Sequence, residues 1–176
     1  LIDNLIEAAS IEAGRFKVNP KPTPLREIIF KAIGSVDPIV QKQGLKLVFI
    51  DPQKEISVLA DQRRTSQALV NLLSNAIKHS PEGSTITVCH QVKDNTVQVE
   101  VFDEGQGIPK DQRSKLFNRF MTPISESDVD QLGMGLGLSV VKAIIEAQNG
   151  SVGYRDGEMA GAVFWFSLPL WEGDDA

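Results

Sequence analysis

The sequence predicts an α/β domain in which helices pack against a β-sheet. Three segments repeat apolar residues every three or four positions, as amphipathic helices do; they are residues 25–43, 61–79 and 136–149. Two pairs of segments have the composition of antiparallel strands joined by short polar turns; they are 84–92 with 96–102 and 151–155 with 162–168. Elements in this order are typical of helices layered on a sheet.

The composition limits the functions that are open to the chain. It has 176 residues, of which 41% are hydrophobic, enough for one domain with a core. Eighteen basic and 23 acidic residues give a net charge of −5, which argues against nucleic acid as a partner. The single cysteine, Cys89, cannot form an intrachain disulfide and indicates a reducing, cytoplasmic compartment. No segment has the length of apolar sequence that a membrane span needs.

The first fourteen residues are predicted to be the end of a helix that Gly14 stops. The helical pattern is already under way at Leu1, so we expect the chain to be part of a longer protein. Apolar residues on one face of this helix indicate that it pairs with another helix. The alternative is a terminal helix that packs on its own domain.

Residues 15–24 are predicted to connect this helix to the main domain, 25–171. A short strand is expected at 15–18. Three prolines, at 20, 22 and 24, then predict a stiff connector without regular structure. The last five residues, 172–176, are predicted to be a frayed acidic tail.

Two strands, at 45–50 and 56–60, are predicted to lie on either side of a turn at Asp51-Pro52. Asp61 is the expected N-cap of the following helix. On that helix Asn71, Asn75 and Lys78 share the face opposite the apolar stripe. Asparagine is a poor helix former, and amide oxygens beside an ammonium group suit a divalent cation with phosphates next to it. The alternative is an ordinary polar helix face.

Asp103 continues the alternation of the inward-facing valines of its strand, so its carboxylate is predicted to point into the domain. A buried carboxylate needs a hydrogen-bond donor. Gly105 and Gly107 follow it and allow the backbone to approach a ligand closely. The alternative is a turn with nothing bound.

A short helix is predicted at 110–120, followed by a loop at 121–132 that is either functional or disordered. Gly133, Gly135 and Gly137 then lead directly into an apolar helix. Glycines before a helix N-terminus favour an anion site, because the free N–H groups and the helix dipole both attract phosphate. A dinucleotide-binding loop is the competing interpretation, but its glycine spacing differs and no β-α-β unit follows.

Four motifs occur in one order: N-L-L-S-N-A-I-K-H, D-E-G-Q-G-I-P, K-L-F-N-R-F and G-M-G-L-G-L-S. Together they resemble the four ATP-binding boxes of bacterial sensor histidine kinases, over residues 16–170. The opening I-E-A-A-S-I-E-A-G-R-F also resembles the end of that family's second dimerisation helix. This favours a histidine kinase over gyrase, MutL or heat-shock chaperones, which share the ATP-binding fold.

The resemblance implies a two-layer α/β sandwich, with a mixed, mainly antiparallel sheet covered on one face by helices. Residues 1–14 would be the end of the dimerisation and phosphotransfer helix. The implied cofactors are ATP and Mg²⁺. The implied partners are the dimerisation domain of a homodimeric parent, which can be anchored to a membrane, and a response regulator. The fragment alone can be a monomer.

The resemblance also implies a role for each site residue. Asp103 would accept a hydrogen bond from the adenine amine, Asn75 would coordinate Mg²⁺ with Asn71 beside it, and Lys78 would meet the phosphates. Phe117 and Phe120 would anchor a lid over the triphosphate. The complete nucleotide set is Asn71, Asn75, Lys78, His79, Asp103, Gly105, Gly107, Ile108, Phe120, Gly133, Gly135, Leu136, Gly137 and Leu138.

The implied reaction is transfer of the ATP γ-phosphate to a histidine outside this chain. ATP-hydrolysing relatives place a glutamate where this chain has Asn71, and an amide cannot take a proton from water. His79 and His90 lack the neighbouring acid of the family's phosphoacceptor, so the chain is not expected to phosphorylate itself. The alternatives are a degenerate kinase that only senses nucleotide and an anti-sigma-type serine kinase.

Overall fold

The computed structural model describes residue 6 and residues 9–118, 136–158 and 160–173. This part of the chain contains the end of an N-terminal helix, at residues 9–12, followed by seven strands and four helices. Their bounds are β1 Lys21–Pro24, α1 Leu25–Lys42, β2 Lys46–Ile50, β3 Ser57–Ala60, α2 Gln62–His79, β4 Thr85–Lys93, β5 Thr96–Asp103, α3 Lys110–Arg113, α4 Gly137–Glu146, β6 Ser151–Asp156 and β7 Ala162–Trp171.

One mixed sheet contains all seven strands, in the order β1-β3-β7-β5-β4-β2, with β6 beside β7. Only β2 and β4 are parallel, and every other pair is antiparallel. One edge of β7 pairs with β5 along its length. Its other edge is shared, because β6 pairs with residues 162–167 and β3 with residues 170–171. The mixed, mainly antiparallel sheet is as predicted.

Helices α1, α2 and α4 cover one face of the sheet, with α2 between the other two. The inward valines of β5, at 97, 99 and 101, are at most 1% exposed, and the apolar stripe of α2 packs over them. Burying such side chains supplies most of the driving force for folding. The predicted faces of both elements are therefore confirmed.

Hydrogen bonds at the N-terminal end of α2 fix its position. Asp61 is its N-cap, as predicted, and Oδ1 accepts the Arg64 N–H at 3.1 Å. Oδ2 of the same carboxylate accepts the Asn19 N–H at 3.0 Å, which ties the connector to the helix. Gln148, only 2% exposed, accepts the Asp61 N–H at 2.6 Å and donates to Ile144 O at 2.9 Å. The buried amide of Gln148 thus joins α4 to the start of α2.

The local structure predicted for residues 15–24 was wrong. Residues 15–18 form no strand, whereas Lys21–Pro24, which contains two of the three prolines, forms β1. The reason is that β1 lies at the edge of the sheet, where β3 is its one partner among the described strands. A proline lacks the backbone N–H, and an edge strand tolerates that loss because one side needs no partner. The division of the chain into domains at this point stays a prediction.

Two other local predictions also need correction. Strands β2 and β3 lie far apart in the sheet, so Asp51-Pro52 is not a turn between neighbours. The helix expected at 110–120 ends at Arg113, because the next residues form tighter i to i+3 hydrogen bonds, such as Asn118 N–H to Lys115 O.

At the N-terminus, residues 9–12 are helical and Gly14, with φ +63°, ends the helix as predicted. Residues 1–5, 7 and 8, the loop 121–132 and the last three residues lie outside the described part of the chain. No helix in the described part is long and apolar enough to cross a membrane.

Candidate functional site

The candidate site centres on Asp103, the last residue of β5. Its side chain points toward the helices, as predicted, and the residue is only 2% exposed. Gly105 N–H donates to Oδ1 at 2.9 Å. Burial raises the pKa of this carboxyl, although hydrogen bonds from Gly105 and Ala162 and the nearby His79 act in the opposite direction. A carboxylate has about four acceptor sites, so these bonds leave capacity for another donor.

The two glycines after Asp103 lie where a side chain would not fit. A Cβ on Gly105 would come within 2.6 Å of the His79 carbonyl oxygen and 2.8 Å of Asp103 Oδ1. Gly107 has φ +72°, a conformation that L-residues rarely adopt, and its Cβ would lie 3.2 Å from Gly161 O. The predicted need for glycine at both positions therefore has a steric cause.

The C-terminal end of α2 borders this loop. Partial burial, followed by the charge of Lys78, lowers the pKa of His79, whereas Asp103 acts to raise it. Asn75 is half-buried and Lys78 is exposed. In the part of the chain that the structure describes, neither makes a hydrogen bond or ion pair through its side chain. Both are therefore open to a ligand.

The N-terminus of α4 approaches the same polar face of α2. Asn71 Nδ2 donates to Gly137 O at 3.4 Å, which brings the first and last predicted motifs together. Leu136 is 4% exposed, and its carbonyl accepts the Val140 N–H, the first bond of the helix. The preceding N–H groups of the first turn have no partner within the helix, as at any helix start. Such groups favour an anion.

Some predicted residues lie outside the described part of the chain. These are Phe120, Gly133 and Gly135. Phe117 is described, and its ring packs at 6.4 Å from that of Phe164. Among the described residues no cluster of three His, Cys, Asp or Glu side chains forms a metal site. The predicted Mg²⁺ ligands are asparagine amides, and a site built from amides is of a different kind from a cluster of His, Cys, Asp or Glu side chains.

Sequence reasoning missed several residues that shape the site. Gly161, with φ +84°, packs so closely on β5 that a Cβ would lie 1.8 Å from Asp103 O. Tyr154 and Arg113 each form a hydrogen bond with the backbone of Ile108 in this loop, and Asp156 binds both of those side chains. The sequence predicts a turn between the strands at 151–155 and 162–168, but nothing in it shows which loop that turn would meet.

The described residues can hold a polar ligand with two different ends. A buried acceptor between glycines suits a base with an exocyclic amine, and a helix N-terminus beside amides and an ammonium group suits phosphates with a divalent cation. Residues 60–172 match the model of the histidine kinase-, DNA gyrase B-, and HSP90-like ATPase family. The chain belongs to this ATPase family. It is a catalytic ATP-binding domain of the kind found in sensor histidine kinases.

Similar curated proteins are sensor kinases. The chain is 33% identical to the sensor protein KdpD of Clostridium acetobutylicum over 169 residues, which are 96% of the chain and 19% of that protein. It is 33% identical to the adaptive-response sensory kinase SasA of Synechococcus over 158 residues, 88% of the chain and 40% of that protein. The chain therefore spans less than half the length of either relative.

Solved structures agree with this ATPase fold. The nucleotide-free catalytic domain of histidine kinase ThkA matches with a TM-score of 0.75 and 28% identity, over 86% of this chain and 95% of that one. Full-length ShkA in complex with AMPPNP matches with a TM-score of 0.81 and 25% identity, over 96% of this chain and 35% of that one. ThkA in complex with the response regulator TrrA shares the fold, with a TM-score of 0.74 and 23% identity, over 95% of this chain and 47% of that one.

Proposed function

We propose that this ATPase domain binds Mg·ATP and transfers the γ-phosphate to a histidine on a separate dimerisation domain of its parent protein. The observation that carries the proposal is the Asp103 carboxylate, buried to 2% exposure without a Lys or Arg partner among the described residues. A buried acceptor of this kind is costly unless a donor reaches it. The exocyclic amine of adenine supplies such a donor.

The phosphate end of the site is proposed at the junction of α2 and α4. The 3.4 Å contact from Asn71 Nδ2 to Gly137 O places the asparagine face of α2 beside the first turn of α4. Asn75 and Asn71 would hold Mg²⁺ through amide oxygens, and Lys78 would lie against the phosphates. When bound, Mg²⁺ neutralises charge on the phosphates. The protein's part in transfer is positioning and electrostatic stabilisation.

We infer that water is a poor acceptor in this site. Asn71 has no proton-accepting group at neutral pH, and its amide already donates to Gly137 O. ATP would therefore persist until a stronger nucleophile arrives. Neither histidine of the chain is suited to that role. His90 packs against the Phe49 ring at 6.1 Å, and its buried Nδ1 has no partner in the described part of the chain.

The partners follow from this scheme. A helical hairpin that carries the phosphoacceptor histidine would present it to the nucleotide. A response regulator, the partner of ThkA in its solved complex, would then receive the phosphate. The division of the chain at residues 14 and 24, and the cytoplasmic location, stay predictions from the sequence.

The test is incubation with γ-labelled ATP and Mg²⁺, with and without a dimerisation hairpin that contains a His-Glu motif. We expect no phosphohistidine on the chain alone, slow hydrolysis, and phosphate on the hairpin when it is present. Asp103→Ala serves as the control that retains the asparagine face but lacks the base acceptor.

Mass spectrometry locates the phosphate. Phosphate on His79 or His90 without the hairpin would overturn the proposed site. ATP binding without transfer to a cognate hairpin would favour a module that only senses nucleotide.

A further inference from the structure

Three side chains outside the predicted site hold the loop that follows Asp103. Ile108 N–H donates to Tyr154 Oη at 3.1 Å, and Arg113 Nε donates to Ile108 O at 2.8 Å. Both backbone polar groups of Ile108 are thus bound by side chains rather than by neighbouring backbone. Ile108 lies three residues beyond Gly105, so these bonds fix the far end of the loop.

The three side chains also bind one another. The Arg113 guanidinium donates through Nη1 and Nη2 to the two oxygens of Asp156, at 2.9 and 2.8 Å. Tyr154 Oη donates to Asp156 Oδ1 at 2.9 Å, and the guanidinium lies 5.4 Å from the Tyr154 ring centre. A bidentate arginine–carboxylate pair is geometrically specific. Arg113, Asp156 and Tyr154 form a closed ring of hydrogen bonds with Ile108. We call these three residues the clamp.

The protonation state of Tyr154 suits the clamp. Burial raises the pKa of the Tyr154 hydroxyl, and the hydrogen bond to Asp156 raises it further. The hydroxyl therefore keeps its proton. It accepts from Ile108 and donates to Asp156 at once, which one hydroxyl can do.

The strand that carries Tyr154 and Asp156 also leads into the turn that packs against Asp103. Tyr154 and Asp156 lie on β6, and the turn from β6 to β7 brings Gly161 against both Gly107 and Asp103. A Cβ on Gly107 would lie 3.7 Å from Tyr154 Oη. The loop is thus packed between Asp103 on one side and the clamp on the other.

We propose that Arg113, Tyr154 and Asp156 are positioning residues, which act through Ile108 to hold the loop in the shape that accepts the nucleotide base. The inference rests on the proposed ATP site. Because a preformed loop loses less entropy on binding, loss of the clamp should weaken nucleotide affinity without removing a direct contact.

The chain offers a matched control. Arg155, between Tyr154 and Asp156, pairs with Glu100 at 2.7 Å on the opposite face of the sheet. Arg155→Gln removes an arginine–carboxylate pair from the same strand but leaves Ile108 untouched. If the loss of any arginine–carboxylate pair on β6 weakened nucleotide binding by destabilising the fold, Arg155→Gln would weaken it as well.

The first experiment needs no nucleotide. Amide hydrogen exchange of Ile108 is measured in the wild type, Tyr154→Phe and Arg155→Gln. Tyr154→Phe keeps the ring against Phe164, at 5.3 Å, but removes the acceptor of the Ile108 N–H. We expect exchange at Ile108 to become about tenfold faster in Tyr154→Phe and to stay unchanged in Arg155→Gln. Equal protection of Ile108 in all three proteins would overturn the clamp.

The second experiment measures Mg·ATP affinity by calorimetry. Tyr154→Phe and Asp156→Asn should each weaken binding about three- to tenfold, and the double variant should be little worse than either, because they belong to one network. Arg155→Gln should stay within about twofold of the wild type. The loss should persist in EDTA, since the clamp acts on the base end.

The outcomes separate the two proposals. If the wild type binds ATP and the clamp variants bind equally well, the positioning role is refuted while the ATP site stands. If the wild type binds no nucleotide, the proposed function fails, and with it the positioning role, whatever Ile108 exchange shows about the clamp.

Discussion

Two buried acidic residues of the same strand have opposite surroundings. Glu100 is 6% exposed on the outer face of β5, where Arg155 at 2.7 Å, Gln98 at 2.7 Å and Gln91 at 3.2 Å all donate to its carboxylate. Asp103 is 2% exposed on the inner face, and within the described part of the chain its carboxylate accepts only from backbone N–H groups. The first carboxylate is compensated by a charged side chain and two side-chain amides, whereas the second has no such partner and has acceptor capacity left for a ligand.

This contrast distinguishes a structural carboxylate from a binding one. Burial alone does not, because both residues are buried. What differs is whether a charged side chain of the protein compensates the carboxylate. Burial raises the pKa of Asp103, and no Lys or Arg side chain among the described residues offsets that effect.

The largest expected effect concerns the backbone that holds Asp103 in place. Gly161→Ala would place a Cβ 1.8 Å from Asp103 O, so we expect it to lower the free energy of unfolding by more than about 3 kcal/mol. Gly83→Ala is the control, since Gly83 has a similar φ of +80° but open space around it. That variant should cost only about 1 kcal/mol, by urea denaturation. Equal losses would mean that the close approach to Asp103 is not rigid.

The next effect separates the two carboxylates. Asp103→Ala should weaken ATP binding about 10- to 100-fold, as expected for loss of a hydrogen bond to a charged group. Glu100→Gln should leave ATP affinity within about twofold and lower the free energy of unfolding by about 1 kcal/mol, a modest value because Arg155 is half exposed. Calorimetry and urea denaturation of both variants measure this. A binding defect in Glu100→Gln as large as that in Asp103→Ala would break the comparison.

A smaller effect tests the metal end of the site. Asn75→Ala should weaken Mg·ATP about tenfold and nucleotide in EDTA by less than about twofold, because the lost group is a metal ligand. Ser74→Ala, at the neighbouring exposed position of α2, is the control. Equal losses with and without Mg²⁺ would make Asn75 a structural residue.

The smallest effect is a dependence on pH. Since burial raises the pKa of Asp103, the folded chain keeps this proton at pH values where the unfolded chain has lost it. Between the unfolded pKa, about 3.9, and the raised folded pKa, the Asp103 contribution to the free energy of unfolding therefore falls as pH rises. Asp103→Asn removes that contribution.

Urea denaturation between pH 4 and pH 8 measures this dependence. Relative to the wild type, Asp103→Asn should gain stability as pH rises through the window and then level off. A relative loss across the same range would show that the carboxylate is stabilised, and not penalised, by its surroundings.

Local patterns were enough to predict much of the fold. Alternation along β5 placed Asp103 on the inner face, and the chemistry of helix starts identified Asp61 as an N-cap; both are confirmed. These signals depend on residues a few positions apart, which the sequence displays directly.

The errors involve partners far apart in the chain. Nothing near Lys21–Pro24 shows that it will pair with β3, and without that pairing three prolines exclude a strand. Alternation with the inward valines of β5 predicts that Glu100 lies on the other face of the strand, but it does not predict that Arg155, 55 residues later, binds it there. The contact of Arg113 with Asp156 spans 43 residues in the same way. These contacts depend on the order of the strands in the sheet, and only the family resemblance gave information on that order.

The most direct test of the account is base discrimination, because it asks what the Asp103 carboxylate accepts. Calorimetry would compare Mg·ATP with Mg·ITP, in which a carbonyl oxygen replaces the adenine amine, for the wild type and Asp103→Asn. The account predicts that the wild type prefers ATP by more than about tenfold, since a buried carboxylate rejects an acceptor, and that Asp103→Asn, which offers both a donor and an acceptor, loses most of that preference. Equal affinity of the wild type for both nucleotides would contradict the assignment of Asp103 as the base-recognition residue.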